Sequence, residues 1–392
     1  MLETKAISAM FSLIKTVFDT SVSITEAETG LLRDNLDELY ELSKRHDLAH
    51  LVGYALDKEG VITQNDAIFT KFQEQQYIAI IKCEEMCYEL NRMRAVFSEN
   101  KVDFIPLKGV IMRQMYPEPW MRTSSDIDIL VHREDMDTVM RLLSEGLGYS
   151  IGLESNHDLS FFTPNKIHVE IHFDLLEEEQ VQSSQAILKE VWGCAIRSGE
   201  GNSEHYLPDS MFYFYHIVHM AKHMGSAGLG VRLFLDLHLL NNKLGSTDQE
   251  CGLLLTQGGL ARFGEVCCNL SRYWFDRADT LDKTTRKLEM FVLNCGTYGT
   301  VENGITISRH SGGSTMQYVK GRFFLPRSVM YGLYPILRRH GWLLPFCHIG
   351  RWCKLFSSKM ARKVIREIKI SRSATDEKIE KMQAFLKEMG LK

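Results

Sequence analysis

Two aspartates at alternate positions, Asp126 and Asp128, interrupt an apolar run that extends to Val131. Side chains alternate between the two faces of a β-strand, so both carboxylates point to one face while Ile127 and Ile129 point to the other. Adjacent carboxylates repel each other, and a divalent cation between them relieves that repulsion. The run therefore predicts a strand that buries its apolar face in a core and offers its acidic face to a metal ion.

The segment before this strand, residues 104–116, predicts a short strand, a turn at Lys108 and Gly109, and the beginning of a helix. Glycine lets a backbone approach a ligand closely, and the free N–H groups at a helix start favour anions. Lys108 adds a positive charge on a flexible stem, which suits phosphate. The turn is therefore a candidate phosphate-binding element.

Residues 166–173 predict another strand, whose polar face carries His168, Glu170 and His172. The preceding residues 159–166 predict its hairpin partner. If this strand lies beside the aspartate strand, Glu170 joins the two aspartates. Three carboxylates on adjacent strands next to a phosphate-binding turn favour metal-assisted phosphoryl transfer, in which one carboxylate can accept the proton of the nucleophile.

These motifs resemble those of the polymerase-β-type nucleotidyltransferase superfamily, and most of all a bacterial branch of uncharacterised nucleotidyltransferases. The resemblance covers about residues 95–175. It rests on three stretches: Leu107 to Gly109, Arg122 with Ser125 to Val131, and Val169 to His172. A weaker resemblance continues through the following residues: His219, Lys222, His223, Arg232 and Asp236.

The resemblance implies an α+β fold, in which a small mixed nucleotidyltransferase-type sheet is flanked by helices, with helical N- and C-terminal regions. It implies an enzyme that moves an NMP from an NTP to a hydroxyl of a small molecule or protein and releases pyrophosphate. Mg²⁺ or Mn²⁺ would be held by the three candidate catalytic residues, Asp126, Asp128 and Glu170. The candidate nucleotide- and phosphate-binding residues are Lys108, Gly109, Arg122, Ser124, Ser125 and Lys222. The candidate cleft residues are His172, His219 and His223.

The chain departs from the superfamily pattern at Val110, where a serine is expected after the glycine. Ser124 and Ser125 are candidate substitutes for the missing hydroxyl. The departure also leaves an alternative open, a non-catalytic nucleotide- or peptide-binding accessory protein on the same fold. A third, less favoured hypothesis is a phosphotransferase that moves the γ-phosphate.

Several polar residues allow both a structural and a functional interpretation. Three histidines lie at helical spacing on one face: His216, His219 and His223. They either make local hydrogen bonds or, together with Lys222, face the cleft, and a zinc site is the least favoured interpretation. Arg232 and Asp236 are four residues apart and are predicted to pair across one helical turn. Arg122 either neutralises phosphate or holds its loop, and His168 either binds metal or lines the cleft.

Helical patterns flank the strands on both sides, and four regions follow from them: an N-terminal helical region (1–99), a catalytic core (100–176), a helical domain that completes the cleft (177–310), and a basic C-terminal helical region (311–392). Thr25 with Glu28 marks one helix start. Apolar spacing from Gln64 to Glu99 predicts one long helix, and further helices are predicted over 133–147 and 374–389.

The charge distribution is uneven. The formal net charge is −4, which predicts no general affinity for nucleic acid, but residues 320–372 contain 13 Lys and Arg against one acid. These basic residues are interleaved with aromatic residues, a composition typical of a surface that binds an anionic partner. Alternatively, the basic face pairs electrostatically with the acidic remainder of the chain. Nine cysteines without a Cys-x-x-Cys pair indicate reduced thiols and a cytoplasmic protein. No uncharged apolar run reaches the length of a membrane span.

Overall fold

The computed structural model describes residues 4–175, 182–226, 228–244, 249–276, 280–297, 333–355 and 376–391, with a few isolated residues between 300 and 330. Within these ranges, the length and hydropathy that a helix needs to span a bilayer do not occur together. About half of the basic segment 320–372, including all of 356–372, lies outside the described residues.

A five-stranded mixed sheet forms the centre of the described chain. Its strands are β1 (Phe104–Pro106), β2 (Asp126–Val131), β3 (Ser150–Glu154), β4 (Asp158–Phe162) and β5 (His168–His172). They lie in the order β1-β2-β5-β4-β3. The β2–β5 pair is parallel and the other pairs are antiparallel. The mixed sheet, the aspartate strand and the β4–β5 hairpin that the sequence predicts are therefore confirmed.

The register of β2 against β5 places the acidic residues side by side. Asp126 pairs with His168, and Asp128 pairs with Glu170. Residues that are paired across a ladder project from the same face of a sheet. The apolar residues of both strands project from the other face, where Ile127 and the neighbouring apolar side chains are completely buried.

Helices α1 to α5 precede the sheet: Thr4–Phe18, Glu26–Asp34, Leu36–Arg45, Ala49–Lys58 and Phe69–Glu99. Thr25 and Glu28 form the predicted capping box at the start of α2. The long helix α5 is also confirmed, although it begins at Phe69 rather than at Gln64. The Asp66 carboxylate accepts the backbone N–H of Thr63 at 2.6 Å and closes a turn there, which delays the helix start.

Helix α6 (Lys108–Met112) follows β1, and α7 (Met136–Arg141) lies between β2 and β3 with single 3₁₀ and π turns at its ends. The predicted helix over 133–147 thus exists in three short pieces.

The helices after the sheet are α8 (Gln182–Lys189), α9 (Val191–Cys194), α10 (Asp209–Ser226), α11 (Val231–Leu244), α12 (Gln249–Gln257), α13 (Ala261–Phe275), α14 (Lys283–Cys295), α15 (Leu344–Leu355) and α16 (Asp376–Glu388). A short ladder of β6 (Ile196–Arg197) and β7 (His205–Tyr206) was not predicted, because two-residue strands show no periodicity.

Two hydrophobic cores hold these elements together. The smaller core packs the apolar face of the sheet against α5 and α7, through side chains such as Phe97 and Val139. The larger core joins helices that precede the sheet with helices that follow it; Phe11 of α1, for example, stacks on Trp274 of α13 with ring centroids 4.6 Å apart. The helices of both flanks therefore close around the polar face of the sheet, while the domain boundaries at 99, 176 and 310 stay predictions.

Candidate functional site

Three carboxylates gather on the polar face of the sheet. Asp126 and Asp128 come from β2, and Glu170 comes from the adjacent β5. Donor atoms of Asp128, Glu170 and His172 lie within 4.8 Å of one another, and so do those of Asp126, His168 and Glu170. Carboxylate oxygens are the donors that hard divalent cations prefer, so the residues present fit a metal ion that bridges the two strands.

Asp128 is the most strongly held of the three carboxylates. Its Oδ1 lies 3.1 Å from Nζ of Lys108 and 2.9 Å from Nε2 of His172. Burial by itself raises the pKa of Asp128, but the Lys108 ammonium and the His172 hydrogen bond outweigh burial and hold that pKa well below its usual range. The same carboxylate raises the pKa of Lys108, so the lysine stays charged despite its burial.

Asp126 has the opposite electrostatic environment. Burial and the neighbouring Asp128 charge raise its pKa, and only partial relief comes from Lys108 and from the Ser125 hydroxyl, which donates to Asp126 at 2.9 Å. Glu170 has a lowered pKa, chiefly because His172 donates to it. The unrelieved repulsion at Asp126 is the kind of strain that a bound cation removes.

The turn after β1 brings Lys108 and Gly109 to the carboxylates. Lys108 has a φ of 38°, in the left-handed region that non-glycine residues seldom occupy. A Cβ at Gly109 would lie 3.0 Å from the Cβ of Ser124. Only glycine therefore lets this turn approach the serine loop without displacing it.

Ser124 and Arg113 hold the loop that leads into β2. The Ser124 hydroxyl donates to the backbone oxygen of Asp126 at 3.0 Å, and Arg113 donates to the same hydroxyl and to the backbone oxygen of Arg122. These contacts commit Ser124 to loop structure. Ser125 is exposed and borders the site.

Arg122 makes a buried ion pair with Asp236 of α11. Its guanidinium donates to both carboxylate oxygens, at 2.8 and 3.3 Å, and Tyr116 donates to the same carboxylate at 2.8 Å. Burial is outweighed by the ion pair, so the pKa of Asp236 is lowered and that of Arg122 is raised.

The predicted pair between Arg232 and Asp236 is wrong. Arg232 instead pairs with Asp47, which follows α3, and donates to the Thr123 hydroxyl at 3.2 Å. Asp236 is already occupied by Arg122 and is completely buried, so residues from other segments supply better partners than the same helix does.

Helix α10 forms the opposite wall of the site. His216 bonds to the backbone oxygen of Leu233 at 3.0 Å, whereas His219 and His223 approach each other with Nε2 atoms 3.0 Å apart. One of these two rings donates and the other accepts, which requires at least one neutral ring. Burial lowers the pKa of His219 well below its usual value and that of His223 to about 4, so both rings are neutral near pH 7. Lys222 borders the same space.

A cavity of about 220 Å³ lies between the sheet and α10. The candidate catalytic, phosphate-binding and cleft residues border it except His172, and His168 does not border it either. A second cavity of about 510 Å³ adjoins it and shares Ser124, Ser125 and Thr297 with it. Among the described residues, the cationic side chains of Lys44, Arg45 and Lys82 border the second cavity.

Sequence reasoning missed two polar residues of the site. The Tyr215 hydroxyl faces the Lys108 ammonium, and burial raises the pKa of Tyr215 to about 12. Its spacing of four residues before His219 and seven before Lys222 would have placed it on the same helix face. Asp47, the partner of Arg232, follows α3 in a segment with no recognisable motif, so no local signal indicates it.

One comparison with known proteins, a family model, agrees with the kind of site that the geometry shows. The model of a family described as "Uncharacterised nucleotidyltransferase" matches residues 33–276. A solved structure of the antibiotic-resistance factor ANT(2'')-Ia is similar to this chain with 13% sequence identity and a TM-score of 0.33, over 44% of this chain and 91% of that chain. A search of curated proteins found no match.

Proposed function

Since the chain belongs to the family of uncharacterised nucleotidyltransferases, we propose that it transfers a nucleoside monophosphate from an NTP to a hydroxyl group and releases pyrophosphate. The observation that carries the proposal is the set of three carboxylates on paired strands, with the Lys108 ammonium 3.1 Å from Asp128. This combination supplies both a site for a divalent cation and a cation for phosphate.

A divalent cation, Mg²⁺ or Mn²⁺, held by Asp126, Asp128 and Glu170, would neutralise triphosphate charge and orient the reacting oxygens. The protein residues supply the remaining requirements. Lys108 has three N–H donors, of which one meets Asp128 and another faces the Tyr215 hydroxyl, so the third is available to a phosphate oxygen. Tyr215 borders the same cavity as Lys108, and its hydroxyl faces the ammonium.

Glu170 is the candidate acceptor of the hydroxyl proton. Its side chain is 24% exposed, against 4% for Asp128, and Lys108 is not bonded to it. In the proposed reaction the hydroxyl oxygen bonds to the α-phosphorus, the bond between the α- and β-phosphates breaks, and the hydroxyl proton passes to the carboxylate. Pyrophosphate leaves with the electron pair of the broken bond.

The second cavity is the proposed position of the hydroxyl-bearing acceptor. It shares Ser124, Ser125 and Thr297 with the carboxylate cavity, so a molecule bound there would lie beside the proposed nucleotide site. Its walls combine Lys82 with the apolar side chain of Ile78 on α5. The acceptor is either a small molecule or a protein segment that enters this cavity.

Product analysis tests the reaction type. The full-length protein is incubated with each NTP, Mg²⁺ and candidate hydroxyl compounds, and the phosphate products are separated. Pyrophosphate that forms with the wild type and not with Asp126→Asn supports nucleotidyl transfer. Formation of NDP instead identifies a phosphotransferase that moves the γ-phosphate, and contradicts the proposal.

A second candidate, a non-catalytic nucleotide-binding accessory protein, is favoured by one observation. Val110 occupies the position after Gly109 and packs into the smaller core, so it brings no hydroxyl to the turn. The Ser124 hydroxyl is committed to the backbone of Asp126 and cannot replace it without rearrangement. Tight NTP binding without release of pyrophosphate, in the presence of varied acceptors, would support this candidate.

We propose one further partner from the sequence. The basic segment 320–372 would meet an anionic partner, lipid, nucleic acid or acidic protein, as its 13 Lys and Arg residues against one acid suggest. A sedimentation assay with anionic vesicles and with acidic polymers tests this role independently of the reaction.

A further inference from the structure

A buried cluster of residues that could bind a metal ion lies next to the three carboxylates of the candidate site. His157, Asp158 and His172 are exposed by only 8, 8 and 4%, and one donor atom from each lies within 4.8 Å of the others. Asp158 is paired with His172 across the β4–β5 ladder, and His157 precedes Asp158 in the chain. None of the three borders the two cavities described above.

The environment of His172 leaves one ring nitrogen for a ligand. Nε2 lies 2.9 Å from Asp128, and a carboxylate accepts hydrogen bonds, so Nε2 carries the proton. In a neutral ring the lone pair is then on Nδ1. Within the described part of the chain this Nδ1 is buried and has no hydrogen-bond partner. A buried polar atom without a partner has lost its hydration without compensation, so a ligand at Nδ1 would be favoured.

His172 Nδ1 faces the strand that carries Asp158. The two nitrogens of an imidazole point in nearly opposite directions, and Nε2 is directed at Asp128 on β2. Nδ1 is therefore directed toward β4, the strand on the other side of β5. The rings of His157 and His172 have centroids 5.9 Å apart, close enough for both to reach one ion.

Ser155 orients the other two residues. Its hydroxyl donates to Asp158, and its Oγ lies 2.9 Å from Nδ1 of His157. Because the single hydroxyl hydrogen goes to Asp158, Nδ1 of His157 acts as the donor and the lone pair of that ring lies on Nε2. This Nε2 is 3.9 Å from Oδ1 of Asp158. Outer hydrogen bonds that fix the tautomer in this way are typical of metal-ligating histidines and carboxylates.

We propose that His157, Asp158 and His172 form a second metal site, which takes Zn²⁺ or a similar transition-metal ion and is distinct from the carboxylate site. Two imidazole nitrogens and one carboxylate oxygen suit zinc, whereas Mg²⁺ prefers oxygen donors. His172 links the two sites, because the ion would occupy Nδ1 while Nε2–H donates to Asp128. By fixing the ring of His172, zinc would also fix the orientation of Asp128.

Metal content is the direct test. The full-length protein is stripped with a chelator, equilibrated with Zn²⁺ in the presence of excess Mg²⁺, desalted and analysed for zinc. We expect about one tightly held zinc ion per chain in the wild type. His157→Ala and Asp158→Asn should each weaken zinc binding at least tenfold.

Two matched controls locate the ion. His168→Ala removes a half-buried histidine from the same strand face, and Asp126→Asn removes a ligand of the carboxylate site. Both controls should keep their zinc. Loss of zinc in these two variants, together with retention in His157→Ala, would place the ion on the carboxylates and overturn the proposal.

The wild type alone supplies a test that does not depend on how well the variants fold. Cobalt-substituted protein should show the visible absorption of a four- or five-coordinate site with histidine ligands, and Zn²⁺ should displace the cobalt. If the wild type retains no zinc and shows no such absorption, a proton rather than a metal occupies His172 Nδ1, and the proposal fails.

Discussion

Lys108 donates to the carboxylate of Asp128 across 3.1 Å, and this contact gives Asp128 a different electrostatic environment from that of Asp126. With the help of His172 it keeps the pKa of Asp128 well below its usual range, while burial and the Asp128 charge raise the pKa of Asp126. Two carboxylates on one strand thus have opposite electrostatic environments, as expected of groups with different roles.

The first prediction contrasts the two aspartates. Asp126→Asn should lower activity at least a hundredfold and raise the stability of the metal-free protein by up to about 1 kcal/mol, because it removes a repelled charge. Asp128→Asn should also abolish activity but should destabilise the protein by roughly 1.5–3 kcal/mol, because Lys108 and His172 lose a charged acceptor. Urea unfolding without added metal measures the difference. Equal effects of both substitutions on stability would contradict the account.

The second prediction concerns the backbone at Lys108. Lys108→Ala and Lys108→Gly both remove the ammonium, so both should lose nucleotide binding and turnover. Lys108→Gly should nevertheless be more stable than Lys108→Ala by about 1 kcal/mol, since glycine adopts the φ of 38° without a steric penalty. Chemical denaturation compares the two variants. A stability order with alanine above glycine would show that the turn relaxes to negative φ.

The third prediction concerns the ion pair between Arg122 and Asp236. Both side chains are buried, so Asp236→Leu should destabilise the protein by about 3–5 kcal/mol and leave the Arg122 charge without its partner. The double variant Arg122→Met with Asp236→Leu should regain part of that stability. A double-mutant cycle in urea provides the measurement. If the double variant is less stable than either single variant, the pair is not the main interaction of the two residues.

The fourth prediction is loss of stability at mildly acidic pH. Burial lowers the pKa of six histidines: His46, His50, His216, His219, His223 and His238. The unfolded chain binds protons at these groups near pH 6.5, before the folded chain does, so the free energy of unfolding should fall as the pH is lowered from about 6.5 to about 4. The pKa of His172 is raised, so this residue has the opposite effect on the free energy of unfolding, but it is one group against six.

His46 provides the matched test of that trend. Its pKa of about 4 corresponds to up to about 3 kcal/mol of stability that is present above pH 6.5 and lost as the pH falls toward 4. His46→Gln should therefore flatten the pH dependence of the urea midpoint. An unfolding free energy that is constant between pH 7 and pH 4.5 in the wild type would contradict the prediction.

The local part of the site could be predicted from the sequence because it depends on strand periodicity. Alternation places Asp126 and Asp128 on one face, and the same rule places Glu170 with His168 and His172. A correct pairing of the two strands then suffices to bring the carboxylates together. The register of Asp128 against Glu170 fulfils that condition.

Contacts between segments that are distant in the sequence could not be predicted from periodicity. Arg232 finds Asp47, a residue 185 positions earlier in the chain, and the second cavity combines α3, α5 and the segment at Thr297. Helix periodicity indicates which face is buried but not which partner covers it. The assumed pair between Arg232 and Asp236 failed for this reason.

A thermal-shift screen with ATP, GTP, CTP and UTP, each with and without Mg²⁺ or Mn²⁺, tests the central claim most directly. A ligand that binds the folded state raises the free energy of unfolding by mass action, and the melting temperature rises with it. The gain is about 2.7 kcal/mol when the ligand concentration is a hundred times its dissociation constant. We predict a metal-dependent rise with at least one NTP in the wild type and none in Asp126→Asn. An equal rise in Asp126→Asn, or no rise with any NTP, would contradict a nucleotide site built on these carboxylates.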